Sequence, residues 1–168
     1  MKNYNKNLKL LTKNHVYSKE MEHDACGVGL IASTEGKKTR AVVDYGIEAL
    51  KAVWHRGAVD ADGKTGDGAG IHLEIPKDFF IEKIEVTGHD YDNAEICVGM
   101  IFLPKNDYSS QESCKTIVES ELTKNDFSIY GWRQVPVNSK VLGEKAFQTM
   151  PEIIQVLFKA NDPDLLDK

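Results

Sequence analysis

The chain has 168 residues, 41% of them apolar and 28% charged, a composition ordinary for one globular domain or a part of one. Lys and Arg number 21 against 26 Asp and Glu. The net charge of −5 argues against the basic stripe of a nucleic-acid binder and the polybasic patch of a membrane-surface protein.

The longest mainly apolar run, residues 96–103, is far too short to span a bilayer. Cysteines stand at 26, 97 and 114, none of them in a C-x-x-C pair. That pattern makes neither a disulfide framework nor a zinc ribbon and points to a reducing, cytoplasmic setting. No nucleic-acid or membrane partner is expected.

Residues 1–25 differ in composition from the rest of the chain. Lys2, Lys6, Lys9, Lys13 and Lys19 precede any acid, and then Glu20, Glu22 and Asp24 come together. Leu8, Leu10 and Leu11 are interrupted by Lys9, so there is no secretory apolar core. The segment has no Arg and a single Ser, unlike a mitochondrial transit peptide. It reads either as a disordered leader or as a segment removed in maturation.

Residues 25–33 read as a strand with Gly27 and Gly29 near its start. Glu35-Gly36-Lys37 is a turn signal. Val43, Ile47, Leu50 and Trp54 recur at helical spacing, and His55-Arg56-Gly57 carries the stop signals. Residues 57–70 hold Gly57, Gly63, Gly66, Gly68 and Gly70 and read as a loop. Ile71, Leu73 and Ile75 alternate with polar residues, predicting a half-buried strand that stops at Pro76. Phe79 and Phe80 fit a short helical turn.

Residues 96–103 predict a fully buried strand bounded by Pro104. Ser109 and Glu112 form a capping box before an amphipathic helix carrying Cys114, Ile117, Val118 and Leu122. Residues 127–137 predict one strand, or two broken at Gly131. Pro151 fits the first turn of a last helix bearing Ile153, Ile154, Leu157 and Phe158. The order predicts an α+β fold with helices covering a sheet.

The 57–70 loop invites two cofactor readings, and both fail on spacing. A P-loop ending at Gly63-Lys64-Thr65 needs its first glycine at 58, which is Ala58. An EF-hand starting at Asp60 would need a carboxamide or carboxylate where Lys64 stands and a Glu where Ile71 stands. What survives is either a structural turn or a loop whose backbone approaches something closely. His15, His23, His55, His72 and His89 show no paired metal spacing, so no metal site is expected.

Cys97 and Cys114 read as small hydrophobes. Cys26 carries a second possibility besides burial. If the chain were cut after Ala25, Cys26 would have a free α-amine, whose ordinary pKa of about 7.7–8.0 suits proton transfer near neutral pH. One residue would then supply both nucleophile and base.

Three runs now fit together. Cys26-Gly-Val-Gly-Leu-Ile-Ala is followed by Trp54-His55-Arg56-Gly57-Ala58 and by Thr65-Gly-Asp-Gly-Ala-Gly-Ile71. With Val98 to Pro104, Tyr130-Gly-Trp-Arg-Gln-Val-Pro136 and Gly143-Glu-Lys145, they resemble the start of the glutamate synthase large subunits, over nearly the whole chain from Cys26 onward.

The resemblance implies a class II glutamine amidotransferase of the N-terminal-nucleophile (Ntn) hydrolase type, a four-layer αββα sandwich that would be incomplete in this chain. Residues 1–25 would be a propeptide and 26–168 the N-terminal part of the amidotransferase domain. Cys26 would attack glutamine, with its α-amine as base. Arg56 would fix the Cys26 terminus and the bound glutamine through charge-assisted hydrogen bonds. Gly57, Gly66, Asp67, Gly68 and Gly70 would form a structural loop beside the site.

In the family, ammonia passes to a 2-oxoglutarate domain bearing FMN and an iron–sulfur cluster, with electrons from NADPH through a small subunit. None of these cofactors is expected within residues 1–168. The later family motifs, an Arg for the substrate carboxylate, an Asn-Gly pair for the oxyanion and an Asp for the amine, do not occur in this chain. Loss of even one oxyanion donor costs about 10²–10³ in rate, so the chain alone is expected to be nearly inactive. The contrasting reading is a non-catalytic module that keeps the Ntn fold. A third, another class II amidotransferase with a different acceptor, is disfavoured by the Thr65-Gly-Asp-Gly and Tyr130-Gly-Trp-Arg runs.

Overall fold

The computed structural model describes residues 27–53, 59–66 and 68–165, together with Lys6, Lys9, Leu10, Thr12 and Lys13. These fall into two compact units, Met1–Gly57 and Ala58–Lys168.

In the first unit the expected strand is absent over residues 27–33, which lie in no sheet, while 25 and 26 lie outside the described residues. Val28 and Leu30 are 93% and 89% exposed. A run of apolar residues offers a face, but a strand also needs a neighbour to complete its ladder. Gly36, at φ +65, makes the turn that leads to helix α1, Arg40–Ala52. Val43, Ile47 and Leu50 lie on its half-buried side, as their spacing predicts. Trp54 lies outside the described residues.

The second unit is built around a three-stranded sheet. Helix α2, Lys77–Val86, replaces the short turn expected at Phe79 and Phe80. It starts directly after Pro76, with Asp78 in its first turn. Phe80 and Ile84, one turn apart, are both buried. The expected strand over 71–75 is not formed; Ile71 and Leu73 are 45% and 43% exposed and in no sheet.

Strand β1, Cys97–Leu103, is followed by helix α3, Tyr108–Lys124, and strand β2, Phe127–Gln134. The α3 cap is Asp107 rather than Ser109: its carboxylate accepts from Ser110 N at 3.0 Å and from Ser110 Oγ at 2.6 Å. Ser109 already lies inside the helix, so its hydroxyl is not at the capping position. Gln111 is buried and donates to Pro104 O at 2.6 Å, which fixes the β1–α3 connection.

Helix α4, Glu144–Thr149, leads into strand β3, Glu152–Ala160. The helix expected after Pro151 is therefore a strand, and it is the central one. The sheet order is β1-β3-β2, antiparallel throughout. β1, α3 and β2 thus form a split βαβ unit into which the last strand inserts.

Ile154, Gln155, Val156 and Leu157 are buried in succession because β3 is covered on both faces. Leu157 joins Phe80, Ile84, Ile96 and Tyr130 in a core on the α2 side. Val156 lies on the opposite face with its cross-strand partner Trp132, whose Nε1 donates to Glu119 of α3 at 2.7 Å. A central strand covered on both faces is apolar on successive residues, and such a run mimics one face of a helix. β1 is an edge strand and not fully buried: Met100 and Phe102 are 48% and 64% exposed.

The α+β class is as expected, with one antiparallel sheet and a helix against each of its faces among the described residues. Among the described residues no helix is long and apolar enough to cross a membrane.

Candidate functional site

Of the residues singled out for chemistry, Cys26, Arg56, Gly57 and Asp67 lie outside the described residues. Gly66, Gly68 and Gly70 are described, and they belong to a loop with a definite architecture.

Val59 and Gly66 form an antiparallel bridge, so the intervening residues close as a hairpin. Asp60 N donates to Thr65 O at 2.7 Å, and Gly63 N donates to Asp60 O at 2.9 Å. Gly63 sits at φ +68, a conformation that glycine adopts at little cost. Asp62 organises the tip. Its Oδ1 accepts from Thr65 N at 2.7 Å and Lys64 N at 2.9 Å, and its Oδ2 from Thr65 Oγ1 at 2.6 Å. The hydrogen bond from the Thr65 side chain, followed by those from the Thr65 and Lys64 backbone, lowers the Asp62 carboxyl to about 2.

The tip is tied to a distant part of the chain. Lys145 Nζ lies 2.5 Å from Asp60 Oδ2. Gly143 is buried against the hairpin; a Cβ there would stand 2.6 Å from Thr65 N, with Thr65 Oγ1 and Asp62 Oδ2 closer still. No residue with a side chain fits without moving backbone. Sequence reasoning missed this junction. The Asp62-x-x-Thr65 spacing was a visible turn signal, but nothing local pairs it with Gly143 and Lys145.

After the hairpin, Gly68 has φ +87, and a Cβ at Gly70 would meet nothing within 4 Å. Among the described residues a close approach to Gly70 is therefore not seen.

The Tyr130-Gly131-Trp132-Arg133 run serves the sheet. Ile129 and Gly131 oppose neighbouring residues Phe158 and Leu157, so Tyr130 is the extra residue of a β-bulge. Its hydroxyl donates to Asp92 Oδ1 at 2.5 Å, and Lys159 Nζ pairs with Asp92 Oδ2. Burial first, and then the Asp92 carboxylate, push the Tyr130 phenol well above its ordinary value. Hydrogen bonds from Lys159 and then Tyr130 lower Asp92 to about 2. Arg133 donates from Nη1 to Gln155 Oε1 at 2.6 Å and stacks over Phe79 at 5.2 Å.

Among the described residues no three His, Cys, Asp or Glu side chains converge as metal ligands. Cys97 and Cys114 are separate, unpaired thiols on β1 and α3. These residues do not fit an iron–sulfur cluster.

Residues 26–167 match the family model for class-II glutamine amidotransferases. The chain belongs to the class-II glutamine amidotransferases. This amidotransferase chain is 54% identical over 155 residues to the glutamate synthase [NADPH] large chain of Azospirillum brasilense, covering 92% of this chain and 10% of that protein. It is 40% identical over 147 residues to the ferredoxin-dependent glutamate synthase 1 of Arabidopsis thaliana, covering 87% of this chain and 9% of that protein. It is 38% identical over 151 residues to the glutamate synthase [NADH] of Saccharomyces cerevisiae, covering 86% and 7%. The amidotransferase chain thus spans about a tenth of the length of these relatives.

Proposed function

We propose that the chain is the N-terminal part of the glutaminase domain of a glutamate synthase large subunit. The observation that carries this reading is the family match, which runs from Cys26 to residue 167, together with the 54% identity to a glutamate synthase large chain. Residues 1–25 are a propeptide in this reading. The complete domain is a four-layer αββα Ntn sandwich, and the α3–sheet–α2 stack forms a part of it.

Cleavage before Cys26 frees its α-amine. The amine takes the thiol proton as sulfur attacks the side-chain amide carbon of glutamine. The tetrahedral intermediate collapses, the proton passes to the departing nitrogen, and ammonia leaves a γ-glutamyl thioester. Water attacks the thioester with the same amine as base, releasing glutamate and restoring the thiol. Arg56 holds the Cys26 terminus and the substrate, and Gly57, Gly66, Asp67, Gly68 and Gly70 border them.

Ammonia then passes to 2-oxoglutarate elsewhere in the large chain. FMN and the iron–sulfur cluster are assigned to that remainder, and no step of glutamine hydrolysis runs through them. NADPH, through a small subunit, is the assigned electron source, in keeping with the name of the Azospirillum relative. The cytoplasm is the assigned location, in keeping with the free thiols of Cys97 and Cys114.

The test is N-terminal sequencing, with intact mass, of the product purified from its native gene. The expected product starts at Cys26, hydrolyses glutamine, and loses that activity in Cys26→Ala. A product that retains Met1 and still hydrolyses glutamine overturns the mechanism.

A further inference from the structure

Asp-Gly occurs in the chain at 62–63 and 67–68, and the first pair lies at the tip of the 59–66 hairpin. Such a pair is chemically labile, because glycine puts no side chain in the way of its own amide. Gly63 N can attack Asp62 Cγ, giving up its proton as the carboxyl oxygen leaves as water, and a five-membered succinimide closes. Water then opens the ring. Attack at the side-chain carbonyl restores aspartate. Attack at the backbone carbonyl leaves the main chain running through Cγ, as isoaspartate. The product is an isomer, and water is the only co-reactant.

We propose that Asp62-Gly63 is a latent isoaspartate site, protected while the hairpin tip is docked on Gly143 and Lys145 and converted when the tip comes free.

Three observations carry it. The attacking amide is occupied: Gly63 N donates to Asp60 O at 2.9 Å, inside a turn that Asp60 N closes on Thr65 O at 2.7 Å. The attacked carboxyl is occupied on both oxygens, by Lys64 N and Thr65 N on one and by Thr65 Oγ1 on the other. These bonds hold it at about 2 instead of 3.8, so the neutral acid, the form that loses water, is about sixtyfold scarcer near neutral pH. The tip is also braced from outside. Gly143 is buried against Thr65 at a distance that no Cβ tolerates, and Lys145 pairs with Asp60. Both sides of this junction lie in the second unit. Asp62 and Gly63 are themselves exposed, so water reaches the pair.

The junction also makes conversion one-way. Isoaspartate lengthens the main chain by a methylene and moves the carboxylate away from Thr65. A contact as close as Gly143 against Thr65 leaves no room for the longer turn. The converted hairpin stays undocked, a lasting mark that the tip has opened.

The experiment ages the full 168-residue chain near neutral pH at body temperature, as wild type, Gly143→Ala, Thr65→Val and Lys145→Met, beside a synthetic peptide of residues 57–66. Trypsin cuts after Arg56 and Lys64 and so separates the two Asp-Gly pairs. Fragmentation in the mass spectrometer and enzymatic carboxyl methylation locate isoaspartate at position 62. Circular dichroism and the thermal midpoint report which variants are folded.

The peptide should convert at least about tenfold faster than the folded chain, whose rate is limited by the fraction of time the hairpin is open. Gly143→Ala, on the far side of the junction, should speed conversion at Asp62 by about three- to tenfold in a chain that keeps its sheet. Thr65→Val removes one bond to the carboxylate and should speed it by about threefold. Lys145→Met should change it by no more than about twofold, since the Lys145 side chain is 69% exposed and such pairs are worth little.

A folded wild-type chain that converts at the peptide's rate overturns the proposal, and so does a folded Gly143→Ala chain that converts at the wild-type rate. If Gly143→Ala does not fold, a folded Thr65→Val chain at the wild-type rate overturns it in the same way. A peptide that forms no isoaspartate removes the lability on which the proposal stands.

Discussion

Gly131 and Gly99 are both pressed against a neighbour, but for different reasons. A Cβ at Gly99 would stand 2.7 Å from Val156 Cγ1, a stiff side chain that is itself 1% exposed. A Cβ at Gly131 would stand 2.8 Å from Thr87 Cγ2, and its φ of +148 is also one that L-residues rarely adopt. Gly99→Ala should therefore cost about 1–2 kcal/mol through overpacking alone. Gly131→Ala adds backbone strain and should cost about 2–4 kcal/mol. Urea midpoints that ranked the two in reverse would show that the bulge relaxes more easily than the β1–β3 contact.

Beside Gly131, the Tyr130–Asp92–Lys159 cluster gives a pH signature. The folded Asp92 carboxyl is lowered to about 2 from 3.8, so its contribution is complete above about pH 4 and is lost as pH falls toward 2. Tyr130 is raised above 10, so its neutral form is favoured in the fold and stability declines as pH climbs past 10. Tyr130→Phe removes the hydroxyl and should cost about 1–2 kcal/mol at pH 7. The gap to wild type should narrow at about pH 2.5 and again above about pH 10.5. Denaturant titrations with a pH-independent gap would exclude the hydroxyl–carboxylate bond as its source.

Among the elements, α3 shows how far local signals reach. Asp107 caps it through Ser110, and its carboxyl is lowered, first by the Ser110 hydroxyl. Asp107→Ala should lower the urea midpoint at pH 7, and the difference should shrink as pH falls below the ordinary carboxylate value and the wild-type carboxyl protonates. The helix itself was legible from the 3–4 spacing of Cys114, Ile117, Val118 and Leu122, although Ile117 turns out 62% exposed, while its cap was misplaced by two residues. α1, β1 and β2 were legible for the same local reason.

β3 was not legible. Ile153, Ile154, Leu157 and Phe158 satisfy a helical spacing, and only the sheet, which brings β1 and β2 from about 50 and 20 residues upstream, makes them a central strand. The hairpin at 59–66 divides in the same way. Its glycines and the Asp62–Thr65 turn were readable as a loop, but the Gly143 contact depends on a packing that no local pattern encodes. The catalytic assignments to Cys26 and Arg56 came from motif resemblance, since a nucleophile and its base joined in one residue leave no spacing to read.

At the scale of the whole molecule, the exposed apolar residues need an account. Val28, Leu30, Ile71 and Leu73 lie in two segments that read as strands and belong to no sheet among the described residues. β1 and β2 are both edges of the three-stranded sheet, so each offers backbone groups to another strand. The curated relatives are about ten times longer than this chain. If the segments at 27–33 and 71–75 have strand-forming sequences because they pair in a longer protein, their amides should exchange with solvent within seconds to minutes in the isolated 168 residues. The β3 amides, held between two strands and beneath two helices, should be the slowest in both forms. In the longer protein the two segments should gain protection of at least about tenfold, while β3 should change little. Equal fast exchange in both forms would make them surface loops throughout. Their alternating apolar residues would then serve a face that meets a ligand or a partner rather than a sheet.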